Sequence, residues 1–359
     1  MSRILYRSLL KRSLRIDAFR QRFSFSSASY TPPYLICGAS KDSGTLVFTN
    51  LGNSEVVTSK KRVPSELLEA SGTIGAAHGW VGTLKDGVLS LHDNLNPNAS
   101  DSNPKQILLP PLLTLPDCQT EVVANVAMSS SSPEDDECVV AVKFSGPQLS
   151  LCRPAHDPNW TNIRVTDHSF FSSRVIFSKR DQMFTLLASG GHHTGSWDLH
   201  KHKDNPKLQK LNFQNLPAFT KIIANLIDSS YITEHLVESS AGITYLVKWY
   251  VHSTVDDDTR DVKTKGLVVF RLDQEGNAFY TNDIGDVNIF ISKNEPFCLS
   301  ASSHHDLEPN TVFLVDSDEF GFINLSESAN TSNVSASLSF KAPYLIPPQK
   351  LNHGLYLGN

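Results

Sequence analysis

The stretch Ala188–Lys203, ASGGHHTGSWDLHKHK, holds the densest potential chemistry in the chain. His192, His193, His200 and His202 stand beside Gly190, Gly191, Trp197 and Asp198. Imidazoles and a carboxylate at such spacing are the donor set of a transition-metal site. The local pattern points elsewhere. MFTLLAS (183–189) and GSWDL (195–199) read as strands, which makes Gly190–Thr194 the hairpin turn between them. His192 and His193 then cannot share a face, because strand neighbours alternate. Asp198, His200 and His202 would share one only if the strand ran on. The following KHKDNPK (201–207) is charged and loop-like, and no further Cys or His cluster completes a ligand set. The expectation is a structural turn with no metal. Its glycines permit the bend, and its indole packs between sheets as in a kelch blade.

A second stretch, DSDEFGFINLSE (Asp316–Glu327), aligns with a calcium loop. Asp316, Asp318, Gly321, Asn324 and Glu327 fall at ligand or turn positions. Phe320 stands where an oxygen is needed, and the preceding TVFLVD reads as a strand rather than an entering helix. A β-hairpin with acidic turn residues is expected. His78, before Gly79-Trp80, reads as a structural polar residue rather than a base. Trp80, Trp160, Trp197 and Trp249 read as core. G-x-S-x-G, Walker A, G-x-G-x-x-G and H-E-x-x-H patterns do not occur. No catalytic, cofactor-binding or metal-binding residue is assigned, no cofactor is implied, and no enzymatic activity is expected.

The elements that would position these residues are bounded first by composition. Of 359 residues, 40% are apolar and 19% charged, a globular balance. No run of about eighteen apolar residues occurs, so no membrane span is expected. Five scattered cysteines, Cys37, Cys118, Cys138, Cys152 and Cys298, form no CxxC and fit a reducing compartment. Charge is uneven. Residues 1–29 carry seven basic side chains and one acid, +6, while the remaining 25 basic and 36 acidic residues leave −11. An acidic body argues against nucleic acid as a partner.

Wound as a helix, residues 3–23 place Leu5, Leu9, Ile16, Phe19 and Phe23 on one stripe. Arg3, Arg7, Lys11, Arg15 and Arg22 lie roughly opposite. SFSSAS (24–29) and Pro32-Pro33 follow. An amphipathic, Arg-rich, Ser-rich, acid-poor leader is the signature of an organellar transit peptide. Dense arginines and an immediate helix favour the mitochondrial matrix over a chloroplast or dual destination. Cleavage is expected between Phe23 and Ser29. A surface helix or a membrane-binding helix is the alternative.

From Tyr34 onward short β-branched and aromatic runs replace helical periodicity. They include YLICGAS (34–40), TLVFTN (45–50), CVVAVKF (138–144), QLSLCRP (148–154), RVIFS (174–178), TYLVKWYV (244–251), GLVVFRLD (266–273), VNIFIS (287–292) and TVFLVD (311–316). Turn chemistry such as Lys85-Asp86-Gly87 separates them. Residues 138–165 and 244–284 share one grammar: apolar strand, turn, second strand, aromatic, outward strand. A repeating unit of roughly forty to fifty residues is the size of a propeller blade. The expected fold is all-β, a propeller of about six kelch-like blades (five to seven). Its domains are a cleavable helical presequence (1–29), the propeller (30–345) and a C-terminal tail (346–359). LSFKAPYLIPP (338–348) is a candidate final strand closing the ring, after a linker at 326–337. SSSSPEDDE (129–137) and HSTVDDDTRD (252–261) read as extended hairpin loops or solvated surface. Short helices are expected only at Pro64–Glu69 and Leu216–Asp228.

In order along the chain, HGW (78–80), LNP (95–97), ILLPPL (107–112), FFSSRVIFS (170–178), GSWDL (195–199), FRLD (270–273), IGD (284–286), IFIS (289–292) and FLVDSDEFGFINL (313–325) resemble the plant domain-of-unknown-function 295 family. That family carries a KIB-type β-propeller, often linked to an F-box. The resemblance spans most of residues 34–327 and implies a propeller whose face binds substrates of a ubiquitin ligase. The chain departs from the pattern where the F-box would sit, since a basic presequence precedes Tyr34. It resembles the organellar, F-box-less branch, and the resemblance supplies no catalytic residue. The expected role is therefore a monomeric, non-catalytic mitochondrial propeller that binds an unidentified protein partner. A hydrolase or lyase with a site at the propeller channel is the second reading. A ubiquitin-ligase receptor is the third, disfavoured by the missing F-box.

Overall fold

The structure, a computed structural model, describes residues 30–349 except 41, 65–66, 68–73, 76, 217–229, 257–258, 305–306, 317–318 and 327–343. The expected presequence lies outside the described residues, as do most of the two expected helices.

Six small sheets form the molecule, as the repeat reading anticipated. Blade 1 contains β1 (Tyr34–Ala39), β2 (Thr45–Asn50), β3 (Glu55–Arg62) and, on its inner side, β25 (Leu345–Ile346). Blade 2 runs β4 (Ile74–Gly75), β5 (Val81–Lys85), β6 (Val88–His92) and β7 (Gln106–Pro111). Blade 3 runs β8 (Val123–Met128), β9 (Val140–Phe144), β10 (Gln148–Cys152) and β11 (Thr161–Arg164). Blade 4 runs β12 (Val175–Ser178), β13 (Met183–Leu187), β14 (His193–Trp197) and β15 (Lys207–Lys210). Blade 5 holds β17 (Tyr231–Glu238), β18 (Thr244–Asp256), β19 (Thr259–Leu272) and β20 (Asn277–Thr281), with β16 (Asn212–Gln214) added parallel to β20. Blade 6 holds β21 (Val287–Ile291), β22 (Phe297–Ser300), β23 (Thr311–Val315) and β24 (Phe320–Asn324).

The ring closes through the C-terminal strand. β25 pairs antiparallel with β1, and the Ile36 amide donates to the Tyr344 carbonyl at 3.0 Å. The closing strand spans residue 345, where the sequence placed the domain boundary. A backbone bond from Thr31 to the Gln349 carbonyl at 2.9 Å extends the tie.

The sequence explains the blades locally. β9 and β10 are buried along their whole length, so both faces are apolar or satisfied and the runs are continuous. Asp86 and Gly87 both take positive φ, 51° and 74°, the mirror-image turn that a two-residue hairpin requires. The acidic stretch at 252–261, expected as an extended hairpin loop or solvated surface, is a long hairpin paired almost throughout. β18 and β19 continue as a two-stranded ribbon to Asp256↔Thr259, beyond the last pair with β17, Tyr231↔Val251.

Each seam between neighbouring blades contains one apolar cluster. Leu46 meets Val81 between blades 1 and 2. Leu91 meets Val126 and Phe144 between blades 2 and 3. Leu151 meets Phe184 and Trp197 next, followed by Leu187 with Leu246 and then Val247 with Ile291. Phe290 and Phe313 meet Leu35 where the ring closes. Burying such a side chain contributes about 1.5–3 kcal/mol, and closure lets every blade bury two faces.

Blade 6 departs from the simple meander. β22 is antiparallel to β21, but β21 is parallel to β23. Its inner strand therefore runs in the same sense as its outer strand, opposite to the arrangement in an all-antiparallel four-strand blade. That reversal brings the β21–β22 connection, residues 292–296, to the axis.

Candidate functional site

The histidine-rich stretch folds as a hairpin turn between β13 and β14, with strand pairing resuming at His193, one residue before the expected end of the turn. Gly190 and Gly191 take φ of 85° and 69°, which side-chain-bearing residues rarely adopt. Glu234 and Lys248 of blade 5 clasp this turn. Glu234 accepts from the Gly190 amide at 2.8 Å, Lys248 donates to the Gly190 carbonyl at 3.0 Å, and the two side chains pair at 2.9 Å. A Cβ on Gly191 would lie 2.9 Å from the Glu234 carboxylate.

The histidines themselves diverge. His193 Nε2 lies 2.9 Å from Asp167, whose carboxylate also caps a 3-10 turn at His168–Phe170. The Ser169 hydroxyl and amide, together with His193, hold Asp167 down at about 2. Ser169 and Asp167 both face Nε2 of this histidine, so the trio lacks the relay through two ring nitrogens that a nucleophilic triad uses. Asp198 accepts the amides of His200 and His202 at 2.8 Å each, and His202 Nδ1 faces the Asn205 carbonyl. Trp197 packs against Phe170 in the seam between blades 3 and 4, with centroids 5.7 Å apart.

The calcium-like stretch forms the β23–β24 hairpin. Gly321 pairs with Leu314, and Asn324 donates to Glu308. Asp318 and Glu327 lie outside the described residues. The four tryptophans are buried. Two of them donate, Trp160 to the Pro110 carbonyl at 2.7 Å and Trp249 to the Thr264 hydroxyl at 2.9 Å.

Titratable groups converge at the axis instead, from blades distant in sequence. Arg174, just before β12, donates to the Ser292 carbonyl at 3.4 Å and to the Lys293 carbonyl. Its Nε has no partner, and burial lowers its pKa against the pull of Asp316, Tyr344 and Glu295. Glu295 accepts from the Phe177 amide at 2.9 Å and from the Met128 amide. Burial pushes its carboxyl up to about 7, opposed by those bonds and by Lys179 and Arg174. His78 sits in the left-handed region at φ 54°, and burial with the charge of Lys179 brings it down to about 4. His235, on β17, is brought down to about 3 by burial and by Arg174, and its Nδ1 is unpartnered. Burial and Arg174 also lower Lys293, which Asp316 opposes. Arg174, Glu295 and His78 keep some accessible surface although protein surrounds them, as groups facing an internal channel do.

Two further ionic features lie at seams. Lys143 is fully buried and donates to the carbonyls of Phe144, Gly146 and Phe171, tying blade 3 to the approach of blade 4. Desolvation brings it down to about 8. A polar cleft opens between blades 4 and 5. Thr185, Thr194 and Ser196 line one wall and Glu238 and Asp273 the other. Its carboxylates are engaged: Glu238 accepts from Ser178 and Arg180, and Asp273 from Asn277.

Comparison with known proteins adds the lineage. A sequence profile of the KIB1-4 beta-propeller family matches residues 48–336. The chain belongs to the KIB1-4 beta-propeller family. Comparison with curated protein sequences found no match. Among solved structures, a catalytically inactive virginiamycin B lyase from Staphylococcus aureus with quinupristin is 6% identical, with a TM-score of 0.32 over 72% of this chain and 82% of that one. A protein from Lactobacillus plantarum is 11% identical, TM-score 0.38, over 89% and 99%. The arabinanase Arb43A from Bacillus subtilis is 12% identical, TM-score 0.26, over 60% and 84%. Likenesses this distant carry no statement about function.

In this KIB1-4 propeller, the axial cluster is what motif reading missed. Gly75, Arg174, His235 and Glu295 come from four blades. No spacing rule links them, and the only local signal is a charge opening the apolar run RVIFS.

Proposed function

We propose that the chain is a mitochondrial β-propeller that binds a protein partner and catalyses no reaction itself. The finer lineage is the organellar, F-box-less branch of the domain-of-unknown-function 295 proteins. One observation carries the reading. The axis, where a propeller enzyme gathers its substrate, is crossed by the protein's own chain, and Arg174 and Glu295 are bonded to backbone groups there. Membership in a propeller family and the basic, amphipathic leader support the remainder. The test joins import and capture. Full-length chain and a form lacking residues 1–29 are offered to isolated mitochondria, and tagged protein is purified from the organelle. Protease-protected, leader-dependent uptake and a reproducible co-purifying protein are expected. A cytosolic location for both forms, or no partner, overturns the reading.

A second reading, a hydrolase or lyase at the axis, is favoured by the unpartnered Arg174 Nε and His235 Nδ1 beside Glu295. A small molecule that raises the Tm of the wild type but not of Arg174→Met would support it.

A further inference from the structure

The seam between blades 4 and 5 is apolar along only part of its length. Leu187, Leu246 and Phe270 close one part of it. Elsewhere the side of blade 4 that faces blade 5 carries hydroxyls. Strand register sets a transverse row, Ile176↔Thr185, Thr185↔Ser196 and Ser196↔Lys207, from the inner strand to the rim. Thr194↔Gln209 lies beside it. Across the gap, blade 5 presents Glu238↔Thr244 and Thr244↔Leu272, followed by Asp273. These two walls bound the polar cleft. Ser178, Thr185, Thr194 and Ser196 are 5%, 9%, 6% and 8% exposed, so the hydroxyls stand where a seam ordinarily places apolar side chains. Leucines there would shut the gap, whereas hydroxyls need polar partners.

Many of the polar groups are already bonded. Glu238 accepts from the Ser178 hydroxyl at 2.6 Å and the Arg180 amide at 2.9 Å. Asp273 accepts from Asn277 through both oxygens, and Asp181 pairs with Arg180 at 2.8 Å. Other groups are unspent. The side chains of Thr194, Thr244 and Lys207 make no hydrogen bond or ion pair among the described residues, although Lys207 lies within reach of the charge of Asp181. Thr185 and Ser196 bond to each other at 2.9 Å, which leaves one hydroxyl proton of the pair to give. Gln209 spends its Nε2 on the Gln274 carbonyl and keeps Oε1 as an acceptor.

Charges of both signs interleave along the lining. An anion would meet Asp181, Glu238 and Asp273, and a cation would meet Lys207 and carboxylate oxygens that already accept a bond. A neutral molecule whose groups both donate and accept meets neither obstacle. We propose that the cleft between blades 4 and 5 binds a neutral polyhydroxylated small molecule, of the sugar or polyol class. Its hydroxyls accept from Thr194, Thr244 and Lys207 and donate to Gln209 Oε1, while its carbon skeleton lies on Ile176, Leu236 and Leu272. The cleft is open on one side, so it holds one face of the ligand, and the Kd is millimolar. The site lies off the axis and needs no protein partner, so its test is separate from import and capture.

The test is an amide NMR titration of the full chain with D-glucose and with myo-inositol, beside sodium phosphate and ethylammonium chloride at matched ionic strength. With a polyol, saturable shifts confined to β14, β15 and the turn between Glu238 and Thr244 are expected. Saturation distinguishes a site from the general exclusion of polyols from protein surface. Thr194→Val and Thr244→Val each remove one hydroxyl and should raise the Kd roughly 2- to 10-fold. Absence of saturable shifts at these amides with both polyols overturns the proposal. Tighter binding of phosphate or of ethylammonium there overturns it in favour of an ionic ligand. Both outcomes are read on the wild type and need no variant to fold. A Thr194→Val/Thr244→Val double variant that binds the polyol as the wild type does overturns it equally.

Discussion

Between blades 2 and 3, Trp80, Leu91, Val126, Val140 and Phe144 pack without a charged side chain among them. At the axis, Arg174 lies within reach of the charges of Glu295, His235 and Lys293, and Lys179 within reach of Glu295 and His78. The two regions hold the ring by different physics. A seam gains from area removed from water, a quantity that is non-directional and indifferent to pH. The axis gains from a few directed bonds, and each depends on geometry and on a proton. Six seams can therefore drift in sequence while a blade keeps its shape, whereas one residue at the axis can disturb contacts with several blades.

The largest effect is expected where a seam is emptied. Phe144 is fully buried on β9, between blades 2 and 3. Phe144→Ala should cost about 3–5 kcal/mol, the price of lost burial plus a cavity. Chemical denaturation at two pH values checks the contrast, because the loss should be the same at both. A loss that depends on pH would mean that seam and axis are coupled, and the division drawn above would fail.

The division also accounts for what the sequence disclosed. Strands lying second or third from the axis are buried on both faces and stand out as apolar runs: β1, β2, β9, β10, β13, β18, β19, β21 and β23 were all legible. Innermost strands other than β12 and β25 were harder to see. β4 has two residues, and β17, YITEHLVE, carries Glu234, His235 and Glu238 in the wall of the channel and the adjoining seam. Outer strands such as β3, EVVTSKKR, are half solvated and read as polar. The spacing of the apolar runs bounded the blade number to five to seven, and the six sheets fall within that range. The reversal of β22 was not legible, since a hairpin looks the same in sequence whichever strand lies inside. Nor was the axial course of the β21–β22 connection: Lys293-Asn294-Glu295-Pro296 resembles any charged turn, and its partners are set by closure of the ring.

The next effect belongs to the axis. His78 and His235 are held neutral, with folded values near 4 and 3 against an ordinary 6.5. A histidine depressed on folding contributes stability that is present above 6.5 and lost as pH falls through its folded value. Glu295 works in the opposite sense, but its change is complete by 4.5. Below that point the histidines oppose the fold together with carboxylates that the fold holds low, Asp167 at about 2 among them. Thermal unfolding should therefore show Tm falling steeply under mild acid, and His235→Phe should make that fall shallower. An unchanged acid slope in this variant would place the sensitivity outside the axis.

The smallest effect tests a buried polar side chain in the closure seam. Asn288 on β21 is fully buried at the closure between blades 6 and 1, and neither its Oδ1 nor its Nδ2 has a partner. It shares a face with Phe290, which stacks on Phe297 and Phe313 at 4.8 and 4.7 Å. An unsatisfied amide in such a place costs about 1–3 kcal/mol, and a leucine of nearly the same size removes that cost while adding apolar contact. Asn288→Leu is therefore expected to raise stability by about 1–2 kcal/mol in denaturant melts. A neutral or destabilising result would show that the amide is satisfied in solution. The closure seam would then be held partly by directed bonds, as the seam between blades 3 and 4 is held by Lys143.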